Sequence, residues 1–320
     1  MPAPSDASRA SRRRASRRVR RRRAALLFTA VVVVAGAAAV FALTRPAPAD
    51  ADGPASPAGE TPTATEQPGQ TPEPTPDAIP AVCDDPAVAH ALTAGDDVAV
   101  VAALGGGAAF REAVVSGEAP CIDLSEGGRL WVVVNKLNAL DPIDYWPEPQ
   151  AQITELRIVS GGGWLREDAA SALDELASAI VADGAGRLGV DSAFRPYDFQ
   201  VDLYNGYVAS RGQAAADLRS ARPGHSEHQT GLAVDVVACA STCTSHDGFR
   251  GTPQAQWLVD NAWRFGFVVR YEEGFTEVTG YSWEPWHLRY IGEELAAAYH
   301  EGGFHTLEDF FGLPAAPDYD

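Results

Sequence analysis

Residues Ala24–Leu43 form an unbroken apolar run, AALLFTAVVVVAGAAAVFAL, directly behind ten arginines between Arg9 and Arg23. Twenty helical residues rise about 30 Å, the thickness of a bilayer's hydrocarbon core. Flanking arginines hold their side of such a span in the cytoplasm. The run therefore predicts a cytoplasmic basic tail over 1–23, a transmembrane anchor over 24–43, and everything beyond it outside the cell membrane. A secreted chain, freed by signal cleavage, is the rival reading. Signal peptides ordinarily carry an apolar region of about 7–15 residues, and the APA and ADA triplets near residues 46–51 offer a cleavage site. The next stretch, 44–80, is dominated by Pro, Thr, Ala, Glu and Asp and contains PTATEQPGQTPEPTPDAIP, from which no core can be built. It predicts a disordered linker, reaching roughly 30–36 Å as a flexible coil. A folded unit is therefore expected only from residue 81 onward.

The charge follows the same division. The formal net charge is −18, but ten of the 25 basic residues lie in the first 23 positions. The remainder holds 15 basic and 42 acidic residues, about −27. Such a surface repels phosphate backbones and excludes a nucleic-acid partner for the folded part. The four cysteines are an even number in a segment placed outside the cytoplasm, where disulfides persist. Pairing each with its nearest neighbour joins Cys83 to Cys121 and Cys239 to Cys243. Zinc held by four thiolates is the alternative, although the C-x3-C spacing is loose for it.

Residues 84–117 alternate Ala/Val-rich stretches with Gly turns and suggest one or two helices in a lead-in region, 81–125. LWVVVN (130–135) reads as a buried strand. Residues 167–183 place Ala170, Leu173, Leu176 and Ile180 at helical spacing, with Gly184 and Gly186 beyond the end. LGVDSAF (188–194), LAVDVV (232–237), FVVRY (267–271) and HLRYI (287–291) read as strands. Residues 197–219 read as helical, Thr252-Pro253 opens another helix in the N-cap/N1 manner, and 292–300 is a short one. Helices first, then strands mixed with helices, predict an α+β fold with a small antiparallel sheet and flanking helices.

Three segments carry chemistry: Ser192-Ala-Phe-Arg195-Pro, Ser226-Glu-His228-Gln-Thr-Gly231-Leu-Ala-Val-Asp235, and Glu284-Pro-Trp-His287. Asp235 interrupts an apolar strand on the face it shares with Ala233 and Val237. A carboxylate there needs a compensating partner, either a metal ion or a structural salt bridge. Pro285 restricts its own backbone and that of Glu284, and the reading places a rigid bend there with His287 at the start of a strand. Two histidines and a carboxylate leave zinc an open position for water, and a second carboxylate that is not a ligand can move the proton.

Ser226-x-His228-x6-Asp235 followed by Glu284-x-x-His287 resembles the zinc signature of the VanY-type D-alanyl-D-alanine carboxypeptidases, a signature shared with D-Ala-D-Ala dipeptidases. VVNKLNALDPIDYWP (133–147), SAFRPYDFQ (192–200), PGHSEHQTGLAVDV (223–236) and GFVVRYEEGFTEVTGYSWEPWHLRYIG (266–292) resemble the carboxypeptidase branch. The resemblance implies a catalytic domain over 126–312 with Zn2+ held by His228, Asp235 and His287. It implies Glu284 as the catalytic base and Arg195 as the group facing the scissile carbonyl. Gln200, Ser226 and Gln229 are implied to contact the substrate, a peptidoglycan stem peptide losing its C-terminal D-alanine. The rivals are a D,D-dipeptidase or wall endopeptidase on the same scaffold, and a non-catalytic zinc-containing wall-binding module, which has no need of Glu284. His225, three residues before His228, stands outside the resembling pattern, as do His90, His246, His300 and His305.

Overall fold

The computed structural model describes residues 82–319; the basic tail, the apolar run and the 44–80 linker lie outside the described residues. Among the described residues no single helix is long and apolar enough to cross a membrane.

The lead-in region holds three short helices rather than one or two: α1 (Pro86–Ala94), α2 (Asp97–Ala103) and α3 (Gly107–Val115). Local chemistry sets each break. Asp85 caps α1 by accepting from the Ala87 amide, with Pro86 at the first helical position, and Gly95 ends it in the left-handed conformation. Asp96 caps α2 through the Ala99 amide. The Cys83–Cys121 disulfide closes the region. Its buried Val100 and Phe110 belong to the same apolar cluster as the rest of the molecule, Phe110 lying 5.0 Å from Trp131 between ring centroids.

The main sheet has the order β2 (Arg157–Ile158), β4 (Arg187–Ser192), β5 (Ala233–Cys239), β7 (Glu284–Tyr290), β6 (Phe267–Tyr271). It is mixed rather than antiparallel throughout, because β2 and β4 run parallel. Parallel neighbours need a crossover, and the chain makes one through β3 (Trp164–Arg166) and α4 (Glu167–Ala182). The stripe Leu173, Leu176 and Ile180 on α4 is buried, as its spacing predicts. A separate antiparallel pair joins β1 (Gln150–Gln152) to β3. The helical stretch after β4 divides into α5 (Tyr197–Arg211) and α6 (Gln213–Asp217) at Gly212, whose φ of 81° no helix accepts. Thr252 caps α8 (Pro253–Asn261) through the Ala255 amide, α7 being the single turn His246–Phe249. One turn, α9 (Thr276–Thr279), precedes β7, and α10 (Glu293–Glu301) and α11 (Leu307–Phe310) follow it.

Two sequence expectations are corrected. Residues 130–135 are buried but form no strand. The carbonyls of Leu130 and Val132 accept from the buried Arg289 guanidinium at 3.1 and 2.7 Å, so a side chain replaces the ladder. Strand β7 begins at Glu284, not at His287. Its register with β6 pairs Val269 with Leu288 but Tyr271 with Glu284, leaving extra residues on β7 around Pro285. Proline has no N–H for a ladder, and a bulge is where a strand tolerates it.

Candidate functional site

Sheet register assembles the centre. Asp235 on β5 is paired with Ser192 of β4 on one side and with His287 of β7 on the other. Val234 and Val236 of β5, with Leu232 just before it, enter the apolar core, leaving the Asp235 face to the site. His228 reaches the same point from the 3-10 turn Glu227–Thr230. Gly231 ends that turn at φ 71°, and a Cβ there would meet Pro147 at 3.0 Å and the Arg166 amide nitrogen at 3.1 Å, so the tight Q-T-G turn has little room for another residue.

His228 Nε2 lies 3.3 Å from Asp235 Oδ2, and His287 Nδ1 lies 3.1 Å from Asp235 Oδ1. All three side chains are buried, with their donor atoms within 4.8 Å of one another. The buried Asp235 Oδ1 faces His287 Nδ1 as an ion pair and has no conventional hydrogen-bond partner. Atoms arranged in this way aim at a shared third atom. The outer nitrogens fix which inner ones are free. His228 Nδ1 is 2.8 Å from the Ala193 carbonyl, and His287 Nε2 is 3.1 Å from Glu227 Oε2. Each ring thus donates its N–H outward and presents the other nitrogen to the cluster, the arrangement that metal-binding histidines adopt. By donor type, burial and spacing, His228, Asp235 and His287 can hold a metal ion.

Burial and the nearby Arg195 bring His228 down to about 4, which keeps its ring neutral. Burial works against charge on His287 too, but Asp235 and Glu227 outweigh it and push the ring up to about 9. Asp235 stays ionised well below the ordinary carboxylate value, because the two histidines outweigh its burial. Glu284 stands 4.0 Å from His287 Nδ1 with its side chain 14% exposed. Burial pushes its carboxyl up to about 8, with Asp235 adding to the shift and His287 and Arg195 opposing it.

Arg195 follows β4 and is held from three sides. It donates to Ser192 Oγ at 3.2 Å and Ser226 Oγ at 3.5 Å and stands 3.9 Å from Asp235 Oδ2. Its Nε is buried without a partner. Arg195, Ser226, His228, Asp235, Glu284 and His287 line one cleft of about 100 Å³. Gln200 and Gln229 are not brought to it. The Gln200 amide donates to Ser220 Oγ and the Ala221 carbonyl, and the Gln229 amide donates to the carbonyls of Ile143 and Tyr145. Both side chains are fully buried and hold loops. His225 stays outside the cluster, 2.8 Å from the Asn135 carbonyl.

Sequence reasoning missed the support beneath His287. Glu227 Oε1 accepts from Arg270 Nε at 2.9 Å and Arg289 Nη1 at 3.1 Å, while its Oε2 faces His287. Arg270 also donates twice to Glu308, at 2.9 and 2.7 Å. Burial alone would raise Glu227, but Arg270, Arg289 and His287 hold it ionised well below its usual range. The available signal was an arginine in the middle of each of two apolar strands, FVVRY and HLRYI. His246 was missed as well; it stacks on Trp286 at 4.7 Å, pairs with Asp191 at 3.0 Å and lines the cleft. The cysteines pair as expected, Cys239–Cys243 directly beyond β5.

Comparison with known proteins agrees with this geometry. The sequence profile of the family VanY, D-alanyl-D-alanine carboxypeptidase, matches residues 162–293, which include Arg195, His228, Asp235, Glu284 and His287. The chain is 36% identical over 148 residues to the putative carboxypeptidase YodJ of Bacillus subtilis (strain 168), covering 46% of this chain and 54% of that one. It is 35% identical over 181 residues to a D-alanyl-D-alanine carboxypeptidase of Enterococcus faecalis (strain ATCC 700802 / V583), covering 53% and 62%. The chain thus spans roughly half the length of these curated relatives. Among solved structures, it resembles the LdcB LD-carboxypeptidase at 33% identity and a TM-score of 0.53, over 57% of this chain and 86% of that one. With its site residues inside the matched span, the chain belongs to the VanY-type family of D-alanyl-D-alanine carboxypeptidases.

Proposed function

We propose that this chain is a zinc-dependent carboxypeptidase that removes the C-terminal D-alanine from peptidoglycan stem peptides ending in D-Ala-D-Ala. The convergence of His228, Asp235 and His287 with a non-ligand carboxylate and a fixed guanidinium in one small cleft carries the reading. His228, Asp235 and His287 would hold the zinc ion, which when bound would supply Lewis acidity toward a scissile carbonyl and toward water. Glu284, pushed up by burial, takes a proton from the attacking water and returns it to the leaving amine. Arg195, held by Ser192 and Ser226, directs positive charge to where the oxyanion develops. Gln200 and Gln229 act at one remove, by positioning the Ser220–Ala221 segment and the 143–145 loop. A cleft of about 100 Å³ suits a residue as small as alanine.

The cell envelope is the place of action in this reading. Two disulfides suit an oxidising compartment, and the arginine-flanked apolar run would anchor the domain to the membrane, with the linker reaching into the wall. A second reading, removal of D-alanine from the tetrapeptide stem, is favoured by the likeness to the LdcB LD-carboxypeptidase, a protein described in terms of peptidoglycan recognition. Mass spectrometry after incubation of the zinc-loaded protein with penta- and tetrapeptide stems and with free D-Ala-D-Ala separates these. Faster loss of one alanine from the pentapeptide supports the D,D-carboxypeptidase. Preference for the tetrapeptide supports the second reading, and cleavage of the free dipeptide alone moves the function to a dipeptidase.

A further inference from the structure

Beside the metal cleft lies an open groove of about 970 Å³, lined by Trp146, Pro147, Trp164, Phe194 and Pro196. Its two indoles are 54% and 49% exposed. Half-exposed tryptophans gathered in one concavity mark a recognition surface, since about half of each indole is left without a packing partner there. The groove is built rather than incidental. Trp146 meets the Phe194 ring edge-on at 4.7 Å, and the Phe194 amide donates to the Trp164 carbonyl at 2.9 Å. The loop carrying Trp146 is clamped by Gln229, the residue after the ligand His228.

Groove and cleft share one wall. Phe194 and Pro196 line the groove, and Arg195 between them lines the cleft. A five-residue stem extends at most about 17 Å, so the part of a substrate beyond its stem falls within reach on the far side of a wall one residue thick. The cleft, at about 100 Å³, is far smaller than the groove, which lies in the size range of ligand sites. No cation lines the groove, and Glu148 and Gln150 are the polar side chains in its lining. Flat indole faces, hydrogen-bonding groups beside them and no positive charge fit a neutral pyranose, whose C–H face lies against an aromatic ring while its hydroxyl and acetamido groups turn outward.

We propose that the Trp146–Trp164 groove binds the neutral amino-sugar backbone to which the stem peptide is attached, so that the enzyme grips its substrate at both ends. This rests on the carboxypeptidase reading for the identity of the substrate, but its test does not need catalysis. Calorimetric titration of the full-length chain, in a detergent without sugar groups, with chitotetraose should show saturable binding. Trp146→Ala and Trp164→Ala should each weaken it at least tenfold while thermal unfolding stays unchanged. Activity on a sugar-free pentapeptide is assayed separately, so failure of that assay sinks the hydrolytic reading and leaves the titration interpretable. Absence of chitotetraose binding at millimolar concentration overturns the proposal, as does binding that both variants retain. A sugar-free stem peptide whose binding is weakened by the same substitutions would also overturn it, assigning the groove to peptide.

Discussion

Glu284 and Glu227 are both carboxylates beside His287, and their surroundings give them opposite tasks. Among the described residues Glu284 has only the His287 ring in ion-pair range, at 4.0 Å, and is pushed up to about 8 by burial, so it can both accept and release a proton near neutrality. Glu227 is pinned by two arginines and stays ionised, orienting the imidazole. Glu284→Gln should therefore lower kcat by roughly 10²–10⁴ and leave bound metal unchanged when measured by elemental analysis. Glu227→Gln should instead weaken metal binding about 10–100-fold in a competition titration and lower the unfolding temperature, since it leaves buried guanidiniums undercompensated. The metal-free cluster also predicts a pH dependence. His287 carries a proton below about 9, while His228 is neutral above about 4 and Asp235 is ionised. Metal must displace the His287 proton, so its apparent affinity should rise by up to about tenfold per unit between about pH 5 and pH 8. A pH-independent affinity in that window would show that the ring is not the ligand. The candidate cluster was legible mainly through its resemblance to the family signature, because an aspartate in an apolar strand could equally have been half of a structural salt bridge. Glu227 was not, because a glutamate in a polar turn looks solvated until Arg270 and Arg289 are seen to converge on it from two strands.

At the scale of elements, register does what no single residue can. Ser192, Asp235 and His287 lie in one row across β4, β5 and β7, so a slip of one residue in β5 would turn Asp235 into the core. Four of the main sheet's five strands, β4, β5, β6 and β7, were recognisable from their composition; the two-residue β2 and the parallel pairing it makes with β4 leave no periodicity to read. The Leu130–Val132 segment has a strand's composition, and only the Arg289 side chain explains why it pairs with none. Helix contacts depend as much on what is missing. A Cβ at Gly107 would stand 2.0 Å from the Glu294 carbonyl oxygen, so α3 and α10 approach through the glycine. Gly107→Ala should separate them and destabilise the fold by about 1–3 kcal/mol, read from the urea midpoint. An unchanged midpoint would mean that the two helices are not tightly coupled.

Over the whole molecule, the lead-in helices and the sheet share one apolar core, and polar anchors cross between them. Asp97 accepts from the Leu130 amide at 2.7 Å and from Arg129 at 3.1 Å. The Cys83–Cys121 bond ties the start of this region to its end across a separation of 38 residues. Replacing both cysteines by serine should lower stability by roughly 2–4 kcal/mol in denaturant unfolding, with the metal affinity of the distant cluster preserved. The sequence could announce this bond only as the simplest pairing of four cysteines, and it could not show that the region it closes packs into the common core. The central claim concerns the cluster, and one measurement addresses it directly: mass spectrometry of a synthetic stem pentapeptide ending in D-Ala-D-Ala after incubation with the zinc-loaded protein. The account predicts loss of a single alanine, abolished by a chelator, restored by zinc and nearly absent in Glu284→Gln. An intact pentapeptide with zinc demonstrably bound at His228, Asp235 and His287 would contradict it.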